Sequence, residues 1–580
     1  MMTQYEIERV SQSPSPPRMN RELFGIVGGR DKFGEYRHTD EFHRIVNGPV
    51  VTIGIRDDGL EYYGRSSAFE DEHGCAAIWG EVITPPAVDR PPAAWLLERV
   101  RTSGDAAFDE LNGSYVAVVD TENGVSIVPD LLRSRECFIS DAPGTRLFGT
   151  DAATVARCIE SPTLDLVAMN QLLYFGVVFG QRTILNELSR VRFDTAHTHV
   201  DNRELNRIEY HPIQRSQAEH ARDLAARLRG AVKRRLDYPP PKGILSSAGF
   251  DSRLILATVP DLDVSYTLGT SSTPEVITAR KLANQYGIRH QLLPVSPAYL
   301  KTSQDIVQYT NGIRESVHIH HRGNEDQMQA RTIYHGLLLD TVLRDIYLAN
   351  KRLEAFGHAL PLPGLVSNPD TFAYLQERLG IYEGGDGLLA DHPAYNRLSE
   401  RQFLDGTITE VLDDCRAETD SIHNAMSLLG LKVTQALPFQ THLADNHFES
   451  LVAADVNLID WHLTTPPQYR NSRTYQQAIE HIDEQLLTHR PPDRPYRSHM
   501  LNQVQGYLRR TIPYVSEPGT PWPDRDAMYE ELALDEALFA DAPAVHPLPP
   551  RVKLRINDAI TWLQSATGRR YHPNEFLRIE

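Results

Sequence analysis

The stretch of this sequence whose residue types best suit chemistry is PKGILSSAGFDSRLILATV, residues 241–259. It places small and hydroxylated residues between a short apolar run, which predicts a buried strand, and a pattern with helical spacing. Backbone N–H groups in such a turn can approach an anion closely, and the dipole of the following helix favours negative charge. Ser246, Ser247 and Ser252 can donate hydroxyl hydrogens to phosphate oxygens. The segment therefore predicts a phosphate-binding loop.

Asp251 stands inside this loop and would repel a phosphate directly. A carboxylate at such a position makes sense when a divalent cation lies between it and the phosphate. The glycine–lysine pair of a Walker loop is absent from the segment, so this is a different kind of phosphate site. The alternative interpretation is an ordinary Ser/Gly turn that caps the next helix, with Asp251 as the N-cap.

The composition limits the class of protein. At 580 residues the chain is too long for one core, and 41% hydrophobic residues are typical of globular domains. A net charge of −18 argues against nucleic acid as a partner, because phosphates would be repelled. No run of about eighteen apolar residues occurs, so we expect no membrane partner. The start of the chain has no apolar signal segment and the four cysteines are scattered, so we expect a cytoplasmic location.

The first part of the chain predicts antiparallel sheet. Residues 1–22 are expected to form a disordered tail. Residues 23–160 contain short alternating runs such as PVVTIGIRDDGLEYYG, separated by Gly, Asn and Asp turns, and one helical run, PAAWLLERVRTSG. Residues 161–215 are expected to bridge this domain to the next.

Residues 216–512 predict an α/β domain. Ser216 and Glu219 form a capping box that opens a helix, and strand and helix patterns then alternate through VSYTLG, EVITARKLANQYG and HQLLPV. This alternation favours a parallel sheet with helices on both faces, where ligands bind at the carboxyl ends of the strands. TIYHGLL predicts one further strand in an otherwise mostly helical remainder. Residues 513–580 predict a Pro-rich boundary and a helical tail.

The loop and its surroundings resemble the asparagine synthetase family. Residues 247–252 are in register with the family's S-G-G-x-D-S pyrophosphatase loop, and SYTLGTSSTPEVITARKLANQYGIRH is similar to its second strand and helix. RTIYHGLLLDTVLRDIY falls where the family has a strand ending in G-x-G-x-D-E. Gly336 and Asp340 match there, whereas Leu338 and Thr341 replace the second Gly and the Glu. LPFQTHLADNHFESLVAADV is similar to the family's P-F-L-D segment.

The resemblance implies a fold and a reaction. The fold would join an Ntn-hydrolase-like α+β domain to a parallel-sheet α/β PP-loop domain, like the adenine nucleotide alpha hydrolases, with a helical extension. The reaction would split ATP between its α and β phosphates and activate a carboxylate as an acyl-adenylate. The residues that would contact ATP or pyrophosphate are Leu245, Ser247, Ala248, Gly249, Phe250, Asp251, Ser252, Leu268, Gly269 and Gly336.

The resemblance also implies charged groups for catalysis. Asp251 and Asp340 would hold Mg²⁺. The family has a late lysine that stabilises charge on the transferred group, and Arg473, or alternatively Arg470, stands at the matching place. An arginine stays protonated at neutral pH, so its role would be electrostatic. The alternative for Arg473 is a solvated charge on a helix.

The front half resembles the family's glutaminase domain without its nucleophile. ELFGIVGG is similar to the opening M-C-G-I-x-G, but Phe24 stands where the family has its N-terminal cysteine. Phe has no nucleophilic atom, and an internal residue has no free amine to act as a base. Gly80 and Glu81 match the N-G-E segment, with Trp79 in place of Asn, and residues 111–120 match well. We therefore expect the glutaminase fold without glutamine hydrolysis.

Three functions are consistent with these features. The first is an asparagine synthetase-like, AMP-forming ligase for a small-molecule or peptide carboxylate. Its nucleophile would be ammonia or a substrate amine, as in the β-lactam synthetases and lasso-peptide cyclases, and a homodimer is a possible assembly. The second is an inactive scaffold of the same family, which the bulky residues 337–339 favour. The third, a sulfurtransferase or NAD synthetase, would lack the front half. His318, His320 and His321 favour a polar surface or the edge of a substrate pocket over a metal site, given their spacing.

Overall fold

The structure is a computed structural model that describes residues 17–86, 88–142, 144–198, 201–355, 358–384, 388, 398–434, 436–511 and 523–578. It has a mixed α/β fold with antiparallel sheets in the front part and a parallel sheet further along, which confirms the predicted fold class at that level. Most of the expected N-terminal tail lies outside the described residues. Within the described ranges, no helix combines the length and the apolar character needed to cross a bilayer.

Two six-stranded antiparallel sheets form the front part of the described chain, which is called the front domain below. The strands are β1 (Glu22–Val27), β2 (Arg44–Asn47), β3 (Val51–Arg56), β4 (Ser67–Asp71), β5 (Gly74–Ile83), β6 (Asn112–Thr121), β7 (Gly124–Pro129), β8 (Phe138–Ala142), β9 (Thr145–Gly149), β10 (Ser189–Arg190), β11 (Thr195–Thr198) and β12 (Asn202–Glu204). The first sheet has the order β10-β8-β9-β1-β3-β2 and the second β12-β11-β7-β6-β5-β4. Residues 161–215, expected to bridge the domains, thus supply β10 to one sheet and β11 and β12 to the other.

The two sheets stack face to face, with helices on their outer faces. The helices here are α1 (Arg30–Tyr36), α2 (Pro92–Ser103), α3 (Ala152–Ala156) and α4 (Leu166–Phe175). Alternate residues of β5 explain the layers: Cys75, Ala77 and Trp79 pack between the sheets, whereas Ala76 and Ile78 pack under α2. Since successive side chains of a strand point to opposite faces, both faces of β5 are buried.

A five-stranded parallel sheet lies in the part of the chain that follows, which is called the second domain below. The strands in this part of the chain are β13 (Lys242–Leu245), β14 (Val264–Leu268), β15 (Arg289–Leu293), β16 (Thr332–His335), β17 (Asn350–Ala355), β18 (His358–Leu365) and β19 (Phe448–Leu451). The sheet has the order β15-β14-β13-β16-β19, and β17 and β18 form a separate antiparallel hairpin. The chain extends the sheet first to one side of β13 and then to the other. In doubly wound sheets this reversal opens a crevice at the carboxyl ends of the strands, where ligands bind.

Helices surround the parallel sheet and fill the rest of the chain. α5 (Gln217–Lys233) begins at the predicted Ser216 capping box. The other helices are α6 (Phe250–Thr258), α7 (Pro274–Gln285), α8 (Gln304–Val307), α9 (Leu339–Arg344), α10 (Thr371–Leu379), α11 (Glu400–Ala417), α12 (Ile422–Lys432), α13 (Leu437–Asn446), α14 (Val456–Thr464), α15 (Ser472–Ile482), α16 (His499–Thr511), α17 (Arg525–Glu531), α18 (Leu534–Phe539) and α19 (Pro550–Thr567). α19 packs against α3 and α4 of the front domain and α8 of the second. The Pro-rich segment at 512–522 lies outside the described residues.

β19 and the β17–β18 hairpin lie in a stretch that the sequence predicts as mostly helical. β19 has the sequence FESL, and its Glu449 is fully buried. A buried carboxylate is rare unless it is paired. The partners of Glu449 are Arg135 of the front domain and His335 of β16, both distant in the chain. The residue pattern around Glu449 does not indicate these partners, so the sequence does not predict β19.

Candidate active site

The loops that follow β13 and β16 meet where the strand order reverses. The two strands are adjacent and parallel, with Gly243 beside Ile333. At their carboxyl ends, a Cβ placed on Gly336 would lie 2.7 Å from the Cβ of Asp251, closer than real Cβ atoms approach. Gly336 is therefore required by this contact. The contact joins the first predicted phosphate loop to the segment that leads to Asp340.

The loop at residues 246–252 is closed by its own hydrogen bonds. Ser247 N–H donates to Ser252 Oγ at 3.2 Å, and the Ser252 hydroxyl donates to the Ser247 carbonyl at 2.9 Å. Gly249 N–H donates to Ser247 Oγ at 3.0 Å. The Ser252 hydroxyl is thus used within the loop, whereas the exposed Ser247 hydroxyl keeps its hydrogen for an outside acceptor. The two serines that the resemblance treats alike therefore differ in what they can donate.

Arg253 holds this loop from behind. It is fully buried and donates to the carbonyl of Ala248 at 2.6 and 3.1 Å and to the carbonyl of Gly249 at 3.1 Å. It also donates to the carbonyls of Leu486, at 2.8 Å, and His489. Burial lowers the pKa of Arg253 to about 10, so the guanidinium remains charged at neutral pH. Two loop carbonyls that would repel an anion are thereby tied to a cation.

Replacing Arg253 by Gln is expected to lower the free energy of unfolding by about 3 kcal/mol, because Gln leaves buried carbonyls unpaired. Urea unfolding measures the loss. Arg229→Gln is the matched control, since Arg229 also donates to backbone carbonyls, those of His481 and Ile482, but is exposed. We expect a change below about 1 kcal/mol there. Equal losses in the two variants would contradict the importance of burial at Arg253.

Asp251 is the centre of a cluster of charged and polar side chains. Arg344 Nη2 donates to Asp251 Oδ2 at 2.9 Å, and the Tyr475 hydroxyl and the Arg494 guanidinium act on the same carboxylate. Burial raises the pKa of the Asp251 carboxyl above its usual range, Arg344 opposes this, and the charge of Asp340 adds to it. Burial and Asp251 together hold the pKa of Tyr475 well above its usual range. A cation beside the two carboxylates would relieve their mutual repulsion.

The carboxylates of Asp251 and Asp340 fit a magnesium ion that phosphate oxygens also hold. Oδ1 of Asp251 is buried and has no partner in hydrogen-bonding geometry among the described residues. Within the same ranges, no group of three or more His, Cys, Asp and Glu side chains gathers as a metal cluster. Mg²⁺ is commonly bound by one or two carboxylates together with substrate phosphates and water. The pair suits that mode of binding and not a cage made by protein alone.

An apolar surface adjoins these loops at three of the residues that the resemblance assigns to ATP. Leu245 at the end of β13 and Leu268 at the end of β14 pack in one cluster with Phe439. Gly269 follows β14 with a φ of 137°, a conformation that favours glycine, and its N–H donates to the Leu293 carbonyl at 3.0 Å. The structure therefore brings Leu245, Leu268 and Gly269 together beside the first loop.

Leu338 has a backbone conformation that normally needs glycine. Its φ is 67° and its ψ −9°, in the left-handed region, and its side chain is buried in the main core. The family that the sequence resembles has Gly here, so the loop keeps the glycine geometry while it carries a leucine. This conformation costs a non-glycine residue about 1 kcal/mol, which burial of the side chain offsets.

We expect Leu338→Gly to be more stable than Leu338→Ala by about 1 kcal/mol, although both variants lose the buried side chain. Leu343 is the control because it is also buried but helical, inside α9. There the Gly variant is expected to be the less stable one, by about 1 kcal/mol. Urea unfolding of the four variants shows whether Gly or Ala is more stable at each position. The same order of stability at both positions would contradict strain at Leu338.

The structure does not place Arg473 with the carboxylates. Arg473 is exposed in the first turn of α15, and Tyr475, two residues later on this helix, faces Asp251 instead. Arg470 is buried in another network, where it donates to Asn424 Oδ1 at 2.5 Å. Neither arginine belongs to the groups that act on Asp251 among the described residues.

Arg344 and Arg494 supply the positive charge at this site instead. Arg344 carries a signal in the sequence, since it follows Asp340 by four residues on a helix and shares its face. Arg494 stacks over the Phe250 ring at 5.6 Å and lies in an irregular segment far along the chain. No local pattern marks Arg494.

Phe24 lies inside a paired strand of the front domain. It is fully buried in β1, opposite Gly54 on one side and Gly149 on the other. Residues 17–21, expected to belong to a disordered tail, pack against the second domain, and Arg21 donates to the Ala444 carbonyl at 2.8 Å. Ordered chain thus precedes Phe24, so the residue at this position has no free amine.

The four thiols are poorly suited to nucleophilic catalysis. Burial raises the pKa of Cys137 and Cys415 to about 12 and that of Cys158 to about 11, and it raises the pKa of Cys75 as well. The thiolate is the reactive form of cysteine. These thiols therefore stay protonated at neutral pH.

The three clustered histidines lie largely inside the protein. His321 is fully buried and hydrogen-bonds to His442 at 2.8 Å, which corrects the expectation of a polar surface at this residue. Burial lowers the pKa of His321 well below its usual range and that of His320 to about 3.

Comparison with known proteins matches residues 223–316 to the sequence model of the asparagine synthase family. This segment contains Asp251 and ends before Asp340. No curated protein matches the chain. One similar solved structure is a glutamine phosphoribosylpyrophosphate amidotransferase from B. subtilis complexed with ADP and GMP, at 10% identity over 55% of this chain and 69% of that chain, with a TM-score of 0.20.

A second similar structure is described as the allosteric regulatory enzyme of purine biosynthesis. It has 12% identity over 62% of this chain and 83% of that chain, with a TM-score of 0.20. At such TM-scores, neither solved structure bears on the fold or the activity of this chain.

Proposed function

We propose that this chain is an ATP-dependent amide-forming ligase that adenylates a carboxylate, releases pyrophosphate, and then joins the activated acyl group to ammonia or to an amine of the substrate. The observation that carries the proposal is the meeting of the Asp251 loop with the Gly336–Asp340 segment at the reversal of strand order. The match of residues 223–316 to the asparagine synthase family supports an ATP-dependent ligase of this general kind.

Asp251 and Asp340 would hold magnesium together with phosphate oxygens of ATP. When bound, the ion offsets negative charge on the departing pyrophosphate. The exposed Ser247 hydroxyl would donate to a phosphate oxygen, and Arg253 keeps the loop in shape for that contact. Gly336 lets the two loops pack closely enough to share one ligand.

Arg344 and Arg494 would act as fixed positive charges toward the leaving group. Both lie close enough to Asp251 to affect its ionisation. An arginine cannot serve as a proton donor at neutral pH, so the effect is electrostatic stabilisation of developing charge. We assign to these two residues the role that the resemblance gave to Arg473.

The proposal excludes glutamine as the direct nitrogen source. Phe24 offers no nucleophile and no free amine inside its strand, and the four thiols are held protonated by burial. An amide donor would therefore have to come from solution or from the substrate itself. A small-molecule or peptide carboxylate, a cytoplasmic location and a homodimeric assembly complete the proposal.

An inactive scaffold is the second candidate, and the leucines at 337–339 favour it. Leu338 removes the glycine that the resembled family has in its phosphate segment. The left-handed backbone at Leu338 is nevertheless kept, and Asp340 remains close enough for its charge to act on Asp251. A scaffold would bind neither ATP nor magnesium with an affinity that depends on Asp251.

The test measures AMP and pyrophosphate formed from ATP and magnesium, with a panel of acids led by aspartate. Each acid is assayed alone, with ammonium, and with glutamine. We expect AMP formation that requires an acid and is no faster with glutamine than with water, and no glutamate released. Glutamate release would contradict the loss of glutaminase activity. If no acid supports AMP formation and ATP does not bind, the result would favour the inactive scaffold.

A further inference from the structure

We infer that the front domain positions the phosphate segment after β16 through three buried side chains, Arg135, Glu449 and His335, and that His335 is a positioning residue for the proposed ligase reaction. This inference rests on the proposed function. It also gives a role to a domain that has no nucleophile of its own.

The three side chains form an unbroken hydrogen-bonded chain between the domains. Arg135 Nη2, in the front domain, donates to Glu449 Oε2 at 2.7 Å. His335 Nε2 lies 2.7 Å from Glu449 Oε1, and Leu337 N–H donates to His335 Nδ1 at 3.3 Å. The exposed fractions of Arg135, Glu449 and His335 are 4%, 0% and 2%. Water therefore cannot readily take the place of any partner.

One assignment of hydrogens satisfies every group in the chain. Because Leu337 N–H is a donor, His335 Nδ1 must accept, and Nε2 then carries the hydrogen that it donates to Glu449. Burial alone would raise the pKa of Glu449, but Arg135 and His335 hold it below its usual range, so the carboxylate accepts from both sides. The hydrogen bonds thus fix Nδ1 as the acceptor and Nε2 as the donor.

The hydrogen-bonded chain of side chains ends at the Leu337 amide, in the segment that links the two loops of the candidate site. Leu337 lies between Gly336, which contacts Asp251, and Leu338, whose left-handed turn begins α9. Fixing the Leu337 amide therefore fixes the turn that carries Asp340. Among the described residues, the His335 ring makes no hydrogen bond to Asp251, Asp340 or Ser247, so it acts through this backbone.

The front domain holds Arg135 in place with its own residues. Arg135 Nε donates to Ser114 Oγ at 3.1 Å, and the guanidinium lies 5.2 Å from the centre of the Trp79 ring. Trp79 stands where the resembled family has Asn in its glutaminase segment. The substitution that departs from that segment thus supplies an aromatic surface for the arginine that reaches Glu449.

The competing explanation is that His335 and Glu449 only stabilise the fold. Two variants of His335 distinguish this from a role in positioning Leu337. The amide oxygen of Asn can replace Nδ1 and accept from Leu337, but Asn leaves Glu449 one partner short. Gln reaches Glu449 in place of Nε2 but gives Leu337 no acceptor. Positioning predicts that His335→Gln is the more stable but less active variant, with kcat about tenfold below wild type. A structural role predicts that activity and stability fall in the same order.

Arg135→Met tests whether the effect comes from the front domain. We expect kcat for AMP formation to fall about tenfold, and the double variant with His335→Gln to fall no further than either single variant. Arg65→Met is the matched control, because Arg65 is a buried arginine of the same domain that hydrogen-bonds to the Glu449 carbonyl, at 2.7 Å. Its charge acts on the Glu449 carboxylate without a hydrogen bond to it among the described residues. Its effect should add to that of His335→Gln. Additive effects of Arg135→Met and His335→Gln would overturn the inference.

Amide hydrogen exchange makes the test independent of activity. In Arg135→Met the Leu337 amide should exchange about tenfold faster than in wild type, whereas Arg65→Met should leave it unchanged. An unchanged rate in Arg135→Met would overturn the coupling between the domains. A wild-type protein that makes no AMP would count against the proposed function, and the exchange rates would still decide the coupling.

Discussion

Replacing Asp251 by Asn is expected to lower kcat for AMP formation by about 10³-fold while the protein remains folded. The carboxylate lies where the two loops meet, beside Asp340 and within 2.9 Å of Arg344. An amide of the same size keeps the shape of the site but removes the charge that would bind magnesium pyrophosphate. Because charge on the departing group grows in the transition state, the loss should fall mainly on kcat.

Asp261→Asn is the matched control for this variant. Asp261 is a mostly exposed carboxylate that pairs with Lys242, at 2.6 Å, at the opposite end of β13. Its loss should change kcat by less than about twofold. The measurements are AMP formation over a range of magnesium concentrations and thermal unfolding of each variant. A folded Asp251→Asn variant with wild-type activity would contradict the assigned site.

Replacing Arg235 by Met is expected to lower the free energy of unfolding by about 4 kcal/mol. Arg235 is fully buried between the domains, where it donates to Glu81 at 3.0 and 3.1 Å and to Asp455 at 2.9 Å. The Tyr238 hydroxyl also donates to Glu81, at 2.7 Å. Without the guanidinium, two buried carboxylates are left close together without that cation. Urea unfolding followed by circular dichroism measures the loss.

The contribution of Asp455 to the free energy of unfolding should change with pH in opposite directions in Arg235→Met and in wild type. Burial raises the pKa of Asp455, but Arg235 and Arg234 outweigh it and hold the pKa below its usual value of 3.8. In wild type the stabilisation by this pair is therefore complete above that value and is lost as the pH falls through the lower folded pKa. Without Arg235, burial should raise the folded pKa, so protonation stabilises the variant as the pH falls. The difference in the free energy of unfolding between wild type and Arg235→Met should therefore be smaller at pH 5 than at pH 7.

Arg234→Met separates burial from simple loss of charge. Arg234 also pairs with Asp455, at 2.6 Å, but its side chain is 29% exposed. Solvent can replace part of that contact, so we expect a loss of about 1 kcal/mol. Equal losses for Arg234→Met and Arg235→Met would contradict the view that burial makes Arg235 costly to remove.

Local patterns in the sequence predicted the elements that carry the candidate site. The apolar run before Ser246, the helical spacing after Asp251 and the alternation that follows are short-range features, and they appear as β13, α6, β14, α7 and β15. The prediction that Asp251 and Asp340 share one crevice also depends on β16 lying beside β13, which the sequence supports only through the family resemblance. The sheet order places these strands side by side.

Features that depend on contacts between distant segments were not predicted. The pairing of Glu449 with Arg135 and His335 joins residues that are far apart in the sequence. The choice of Arg473 followed spacing along the chain, whereas the direction of α15 turns Tyr475 toward Asp251 and leaves Arg473 exposed. Which side chains of a helix face a site depends on how the helix packs against the rest of the fold, and spacing along the chain does not specify that packing.

The measurement that tests the proposed adenylation most directly follows the carboxylate oxygen. An acid that supports AMP formation is labelled with ¹⁸O in its carboxyl group and incubated with ATP, magnesium and ammonium, or alone if it carries its own amine. Attack of a carboxylate oxygen on the α phosphorus expels pyrophosphate, and attack of the amine on the acyl carbon then releases AMP with that oxygen. We expect one ¹⁸O in AMP and none in pyrophosphate. Label in inorganic phosphate, with ADP as the nucleotide product, would contradict adenylation.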